Sequence, residues 1–209
     1  MSGLFRATEA ERAAVLPGDG LVRDLLVSLD HGVTIGAPPE AVWPWLVQMG
    51  AGRAGWYSYD RLDNGGAASA WEILPEFQEF GIGTVMPALP GVTDCFVVLG
   101  FEAARWLLLG VPSGSVTGAV GSDDWRACFD RASWVFVLSP VDGGTRLHVR
   151  ARTSKAEIEM PVLGRVRFPG VLARPAASLI HGIMARRQLK GIRARVEMGQ
   201  KKKSSSSPM

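Results

Sequence analysis

Two pairs of β-rich segments, each pair joined by a few residues, constrain the fold of this chain more than any other feature. Residues 95–101 and 105–109 are three residues apart, and residues 133–139 and 145–153 are five residues apart. The second gap contains Asp142-Gly143, and Asp-Gly is a strong hairpin signal. Parallel neighbours need a crossover of about a dozen residues, for which neither gap has room. The pattern therefore predicts an antiparallel sheet.

The segments on either side of these hairpins complete an α+β order. Residues 28–35 alternate between apolar and polar side chains, as a half-buried strand does. Pro38 and Pro39 break that strand and can open a helix, because proline is tolerated in a first turn. A second short helix is expected over residues 56–64. Residues 172–198 carry the longest helical periodicity, so one long C-terminal helix is predicted to close the domain.

One domain with two attachments is the expected organisation, since 209 residues suit a single domain. Residues 1–27 are expected to form an N-terminal leader with a short helix, and residues 28–198 the domain itself. Residues 199–209 contain a lysine run and four consecutive serines, which are typical of a disordered tail. The stretches 111–131 and 155–170 lack clear periodicity and are expected to be irregular.

Charge and hydropathy exclude several classes of protein. The net charge is +3, and Lys201, Lys202 and Lys203 account for all of it. A nucleic-acid partner is therefore not expected, because it requires basic residues massed on the folded surface. The longest uncharged stretch, residues 106–122, contains Pro112 and four glycines, so no transmembrane segment is expected. No export signal is visible at the N-terminus, which predicts a cytoplasmic protein.

Motifs for metal or cofactor binding are also missing from the sequence. Cys95 and Cys128 lie 33 residues apart, without a CxxC motif or a histidine at ligand spacing. There is no phosphate-cradling glycine loop, no GxSxG and no HExxH. No metal and no cofactor are predicted, and nucleotide hydrolases, α/β-hydrolases and Rossmann dehydrogenases are disfavoured.

Three stretches together resemble the SRPBCC superfamily, which includes START lipid-transfer domains, polyketide cyclases and birch-pollen allergen-like proteins. They are residues 33–46 (VTIGAPPEAVWPWL), 55–64 (GWYSYDRLDN) and 183–192 (IMARRQLKGI). The element order matches over about residues 29–197. The similarity is greatest to the bacterial polyketide-cyclase-like branch, in which the position of Ala185 often carries Glu.

The resemblance implies a helix-grip fold, in which a curved antiparallel sheet wraps around the long C-terminal helix. Two short helices after the first strand would close one end, and an apolar cavity would lie between sheet and helix. The superfamily places carriers, receptors and enzymes on one scaffold, so the resemblance does not select among these functions.

The candidate ligand-binding residues lie on the second short helix, just after it, and on the C-terminal helix. Broad aromatic rings in a cavity would stack on a planar ligand and exclude water, whereas ordinary core packing is the alternative explanation. The candidates are Trp56, Tyr57, Tyr59, Asp63, Trp71, Met184 and Arg187.

Candidate catalytic residues are Asp60, paired with Tyr59, and His148. An aspartate in an apolar pocket could act as a general base for enolisation while a tyrosine donates to a carbonyl. Alternatively, Asp60 faces solvent. His148 shares a strand face with Arg146, Arg150 and Arg152, which either turns inward to bind an anion or forms the wet side of the sheet.

Three functional hypotheses follow from these residues. The first is binding of an apolar or aromatic small molecule between the sheet and the C-terminal helix. The second is a polyketide-cyclase-like enzyme that acts on such a molecule by acid-base catalysis. The third is a regulatory or interaction module without a ligand, in which the tail at residues 201–207 recruits a partner. The sequence leaves the oligomeric state open.

Overall fold

A computed structural model describes residues 5–90, 95–112, 128–154, 157–160, 164–167 and 170–206. Within these ranges the helices are α1 (Glu9–Ala13), α2 (Pro39–Val47), α3 (Asp60–Asp63) and α4 (Gly170–Ser206), with a 3-10 turn at Pro75–Phe77. The strands are β1 (Val27–Ile35), β2 (Val85–Pro87), β3 (Cys95–Glu102), β4 (Trp106–Val111), β5 (Ala132–Val141), β6 (Gly144–Thr153), β7 (Glu157–Met160) and β8 (Gly164–Arg167).

Six of the strands form one antiparallel sheet in the order β1-β6-β5-β4-β3-β2. Both predicted hairpins are confirmed, since β3 pairs with β4 and β5 pairs with β6. Gly143 closes the second hairpin with a φ of 76°, a conformation that few other residues adopt. Strands β7 and β8 form a separate two-stranded sheet within the stretch that was expected to be irregular.

The inner face of the large sheet packs against α4 and α2 to form the main core. The alternation of the strands supplies one half of this core, with Val33, Ile35, Phe136, Leu147 and Val149. The helices supply the other half, with Trp45, Leu46, Leu189, Ile192 and Val196. Each fully buried aliphatic side chain contributes about 1.5–3 kcal/mol. A long C-terminal helix held against an antiparallel sheet confirms the expected α+β helix-grip fold.

The outer face of the same sheet is covered by the N-terminal leader. Leu16 and Leu21 pack against an apolar cluster formed by Val97, Leu99, Leu108, Phe129 and Val135. Gly18 has a φ of 86°, a conformation that strains other residues, and a Cβ there would press on the Leu108 side chain. Further along the sheet, the leader meets the basic residues of β6. The leader therefore packs on the domain and closes a second, smaller core.

Helix α4 extends further than the sequence predicted. It continues through Ser206, so residues 199–206 are helical although they were expected to be disordered. The lysines and Gln200 have good helix propensity, and no proline lies between Gly199 and Ser206. Within the described residues, no helix is both long and apolar enough to cross a membrane. The predicted irregular stretch at 111–131 lies largely outside the described residues.

Candidate functional site

A cavity of about 210 Å³ lies between the sheet and α4. Its wall is almost entirely apolar and comes from five parts of the chain: the α3 region, the loop after β2, strand β3, strand β5 and helix α4. The lining residues are Trp56, Ser58, Asp63, Ala88, Leu89, Phe96, Trp134, His181, Met184, Ala185 and Gln188.

Three aromatic rings form the sheet side of the cavity. The ring centroids of Trp56, Phe96 and Trp134 lie 5.2–5.6 Å from one another. Trp56 is fixed in addition by its indole N–H, which donates to the carbonyl oxygens of Pro87 at 3.2 Å and Ala88 at 3.0 Å. Aromatic pairs at these distances are favourable beyond the area they bury, so the three rings stabilise one another.

Helix α4 forms the opposite side through residues spaced i, i+3, i+4 and i+7 from His181. The His181 ring stacks on His31 at 5.3 Å and meets Trp134 edge-on at 6.2 Å. Burial, together with the neighbouring His31, lowers the pKa of His181 to about 4. The imidazole is therefore neutral at physiological pH. Burial also lowers the pKa of His31.

Asp63 is the carboxylate at the cavity. It is 5% exposed, and its Oδ2 accepts the backbone N–H of Tyr59 at 3.3 Å. Burial raises the pKa of Asp63, and the nearby Asp60 carboxylate raises it further. Among the described residues, no group of three or more His, Cys, Asp or Glu side chains is placed to hold a metal ion.

Three of the seven predicted ligand-binding residues line the cavity, namely Trp56, Asp63 and Met184. Tyr57 does not, although it is buried. Its hydroxyl donates to the Trp45 carbonyl oxygen at 3.1 Å and accepts from the Gln48 amide at 3.0 Å. Its backbone packs so tightly against α4 that a Cβ at Gly191 would collide with the Tyr57 carbonyl oxygen. Tyr57 thus holds α2 and α4 together.

The remaining three predicted ligand-binding residues lie at the surface. Tyr59 is 39% exposed, and the Arg187 guanidinium lies 5.8 Å from its ring. Trp71 is 51% exposed and carries the Arg195 guanidinium 4.2 Å above its ring. These residues form cation-π pairs outside the cavity.

None of the three catalytic candidates lines the cavity. Tyr59 lies at the surface, and Asp60 accepts both the backbone N–H and the hydroxyl of Ser69, at 3.1 and 2.5 Å. The ring Nε2 of His148 lies 2.8 Å from Asp30 Oδ1 on the outer face of the sheet. The basic face of β6 therefore points neither into the cavity nor to water, but towards the leader.

The sequence analysis did not select Phe96, Trp134, His181 or Gln188 for the site. Alternation along β3 and β5 shows which residues share a face with Phe96 or Trp134, and helical spacing puts Gln188 in line with His181. These patterns group residues correctly, but they do not show which group borders a cavity.

No family model matches the chain, and no curated protein matches it in sequence. Among solved structures, protein MLL2253 from Mesorhizobium loti is 16% identical with a TM-score of 0.47, over 82% of this chain and 98% of that one. The Polyketide_cyc-like protein Cgl2372 from Corynebacterium glutamicum is 13% identical with a TM-score of 0.36, over 87% and 96%. The di-domain ARO/CYC StfQ of the steffimycin biosynthetic pathway is 11% identical with a TM-score of 0.44; the match covers 88% of this chain and 55% of StfQ.

These likenesses concern the fold alone. The order of the six antiparallel strands and the long helix against their inner face give the chain a helix-grip fold, the fold implied by its sequence resemblance to the SRPBCC superfamily.

Proposed function

We propose that this protein binds a compact apolar or aromatic small molecule in the cavity between the sheet and α4. The observation that carries the proposal is the aromatic wall of Trp56, Phe96 and Trp134 around an apolar space of about 210 Å³. Protein interiors are close-packed with few voids larger than a water molecule. A concave apolar site with a few polar side chains is the usual form of a small-molecule site.

The size of the cavity limits the ligand to one or two rings. An engineered apolar cavity of about 150 Å³ takes up benzene, whereas sites for drug-sized ligands span about 300–1,000 Å³. The present cavity lies between these sizes. Binding would be driven by removal of apolar ligand surface from water, at about 25 cal/mol per Å², less the cost of ordering the ligand.

Filling the cavity from α4 tests this proposal. Ala185 lines the cavity and Ala194 is an exposed residue of the same helix. Ala185→Phe should weaken binding of naphthalene at least tenfold, because the new ring occupies the ligand's space, whereas Ala194→Phe should leave it unchanged. Calorimetric titration measures both. Equal affinities in the two variants would show that the ligand binds elsewhere.

A cyclase-like activity is the second candidate, and Asp63 is the observation that favours it. A buried carboxyl with a raised pKa next to an apolar cavity suits a general base for enolisation. In this case Asp63→Asn should abolish turnover and retain binding, whereas Asp60→Asn should remain active. The opposite result would return the catalytic role to Asp60.

A further inference from the structure

Four residues of the cavity wall share one property. Each carries a buried polar atom that has no hydrogen-bond partner among the described residues: Asp63 Oδ1, Trp134 Nε1, His181 Nδ1 and Gln188 Oε1. Buried polar atoms are nearly always paired, because an unpaired one loses its hydrogen bonds to water without replacement. Four unpaired atoms around one cavity therefore indicate that the partner is a molecule in the cavity.

Asp63 and Gln188 supply hydrogen-bond acceptors. The two residues are 5% and 2% exposed. Asp63 already uses Oδ2 to accept the Tyr59 N–H, and Gln188 Nε2 approaches Met49 Sδ at 3.7 Å. The atom left over on each side chain is an oxygen, so neither can satisfy the other. The nearby Ser58 hydroxyl lowers the pKa of Asp63 but donates to the Met184 carbonyl oxygen at 3.3 Å. Among the described residues, neither Asp63 Oδ1 nor Gln188 Oε1 therefore has a hydrogen-bond donor.

Trp134 supplies a donor. Its Nε1–H can only donate, and its ring is held by Trp56, Phe96 and Phe136 at centroid distances of 4.9–5.6 Å. The second tryptophan of the wall behaves differently, because the Trp56 N–H donates to two backbone carbonyl oxygens. Of the two indole N–H groups in this wall, that of Trp56 is paired and that of Trp134 has no partner among the described residues.

These atoms define the chemistry of the ligand, on the basis of the proposed function above. We infer that the ligand is a one- or two-ring aromatic compound with a hydroxyl group, which donates to Asp63 or Gln188 and accepts from Trp134 Nε1–H. A hydroxyl is suited to both roles, since it has one donor and two acceptor sites. A hydrocarbon would pair none of the four atoms, and a carboxylate would place a second negative charge beside Asp63.

A matched series of compounds tests the inference on the full-length protein. Naphthalene has no polar atom, 2-methoxynaphthalene can only accept, and 2-naphthol can donate and accept. Benzene, anisole and phenol repeat the series with one ring. By calorimetric titration, the hydroxylated member should bind at least tenfold more tightly than the other two members of its series.

Variants locate the preference in the cavity. Gln188→Met removes the acceptor and keeps a side chain of similar length, and Trp134→Phe removes the donor and keeps an aromatic ring. Each should reduce the preference for 2-naphthol over naphthalene several-fold while naphthalene still binds, which also shows that the variant is folded. Gln200→Met, further along α4, is the matched control and should leave the preference unchanged.

The outcomes separate this inference from the proposed function. Equal affinity for naphthalene, 2-methoxynaphthalene and 2-naphthol, with parallel results for one ring, would leave a hydrophobic binding site and overturn the inference. If both variants still prefer the hydroxylated compound, other residues recognise the hydroxyl group, and the inference is likewise overturned. If no compound of either series binds, the proposed function itself fails.

Discussion

The two faces of the large sheet differ in how their buried polar groups are paired. On the outer face, Arg150 is 3% exposed and its guanidinium pairs with Asp19 and Asp30, each at 2.8 Å, and with three carbonyl oxygens of the leader. On the inner face, four polar atoms at the cavity have no partner among the described residues. On the outer face the leader supplies most of the hydrogen-bond partners, and two buried atoms, Asp19 Oδ1 and Arg152 Nε, have none among the described residues, whereas the four such atoms of the inner face all belong to residues of one cavity wall.

This difference separates residues that hold the fold from residues available to a ligand. Arg146, for example, makes a bidentate contact with Glu11 at 2.7 and 2.9 Å, and its Nη2 also donates to the Arg6 carbonyl oxygen. The leader thus engages both the Nε and the Nη2 of this side chain. The basic face of β6 therefore anchors the leader, and the proposed binding site lies on the other face.

The largest expected effect on stability comes from removing the contacts of Arg150 on the outer face. Arg150→Met should lower the free energy of unfolding by about 3–5 kcal/mol, because it removes the buried guanidinium that Asp30 and Asp19 share and leaves three carbonyl oxygens of the leader without their donor. Arg105→Ala, which removes an exposed ion pair with Glu102, is the control and should change stability little. Urea denaturation followed by tryptophan fluorescence measures both. Similar midpoints for the two variants would contradict the anchoring role of Arg150.

As the pH falls, the free energy of unfolding should decrease first through His181, on the inner face of the sheet. Its pKa is about 4 in the folded protein against an ordinary value of 6.5, so the fold favours the neutral ring. The contribution of His181 to the free energy of unfolding is fully present above pH 6.5. As the pH falls from 6.5 towards 4, this contribution decreases by up to about 3 kcal/mol. His181→Phe keeps a ring against Trp134 and should flatten the stability profile in this window. A proton NMR titration of His181 with a midpoint near 6.5 would refute the prediction.

On the outer face, acid should lower the free energy of unfolding only at a lower pH, through Glu11. Although burial raises the pKa of Glu11, the hydrogen bonds from Arg146 and Thr8 outweigh it and hold the pKa at about 2. Its contribution is present above pH 4.5 and is lost as the pH falls from 4.5 towards 2, by about 1–2 kcal/mol after allowance for partial exposure. Glu11→Gln should remove this loss. If the variant and the parent lose stability equally between pH 4.5 and 2.5, Glu11 does not hold the leader.

The sequence predicted the fold well because its signals are local. The Asp142-Gly143 turn and the periodicity of α4 each depend on neighbouring residues, and each matches the structure. The site was predicted only in part because membership of the cavity depends on packing between distant elements. Asp60 and Asp63 lie on the same one-turn helix, yet Asp60 bonds to Ser69 while Asp63 borders the cavity next to α4.

Strand alternation has a related limit. It places His148 with Arg150 on one face of β6, but it does not show what covers that face. The leader does so from more than a hundred residues away in the sequence. In the same way, alternation places Phe96 and Trp134 on strand faces without showing that α4 leaves a space beside them.

The smallest expected effect compares two tryptophans, one inside the cavity and one outside it. Trp71 was predicted to bind the ligand, but it is half exposed and pairs with the Arg195 guanidinium. Trp71→Phe should therefore leave the affinity for 2-naphthol within about twofold, since a phenyl ring retains most of the cation-π contact. Trp134→Phe, the same change at the cavity wall, removes a donor that lacks a partner among the described residues and should weaken 2-naphthol binding several-fold. Parallel titrations that show equal losses in the two variants would move the binding surface towards Trp71 and away from the inner face of the sheet.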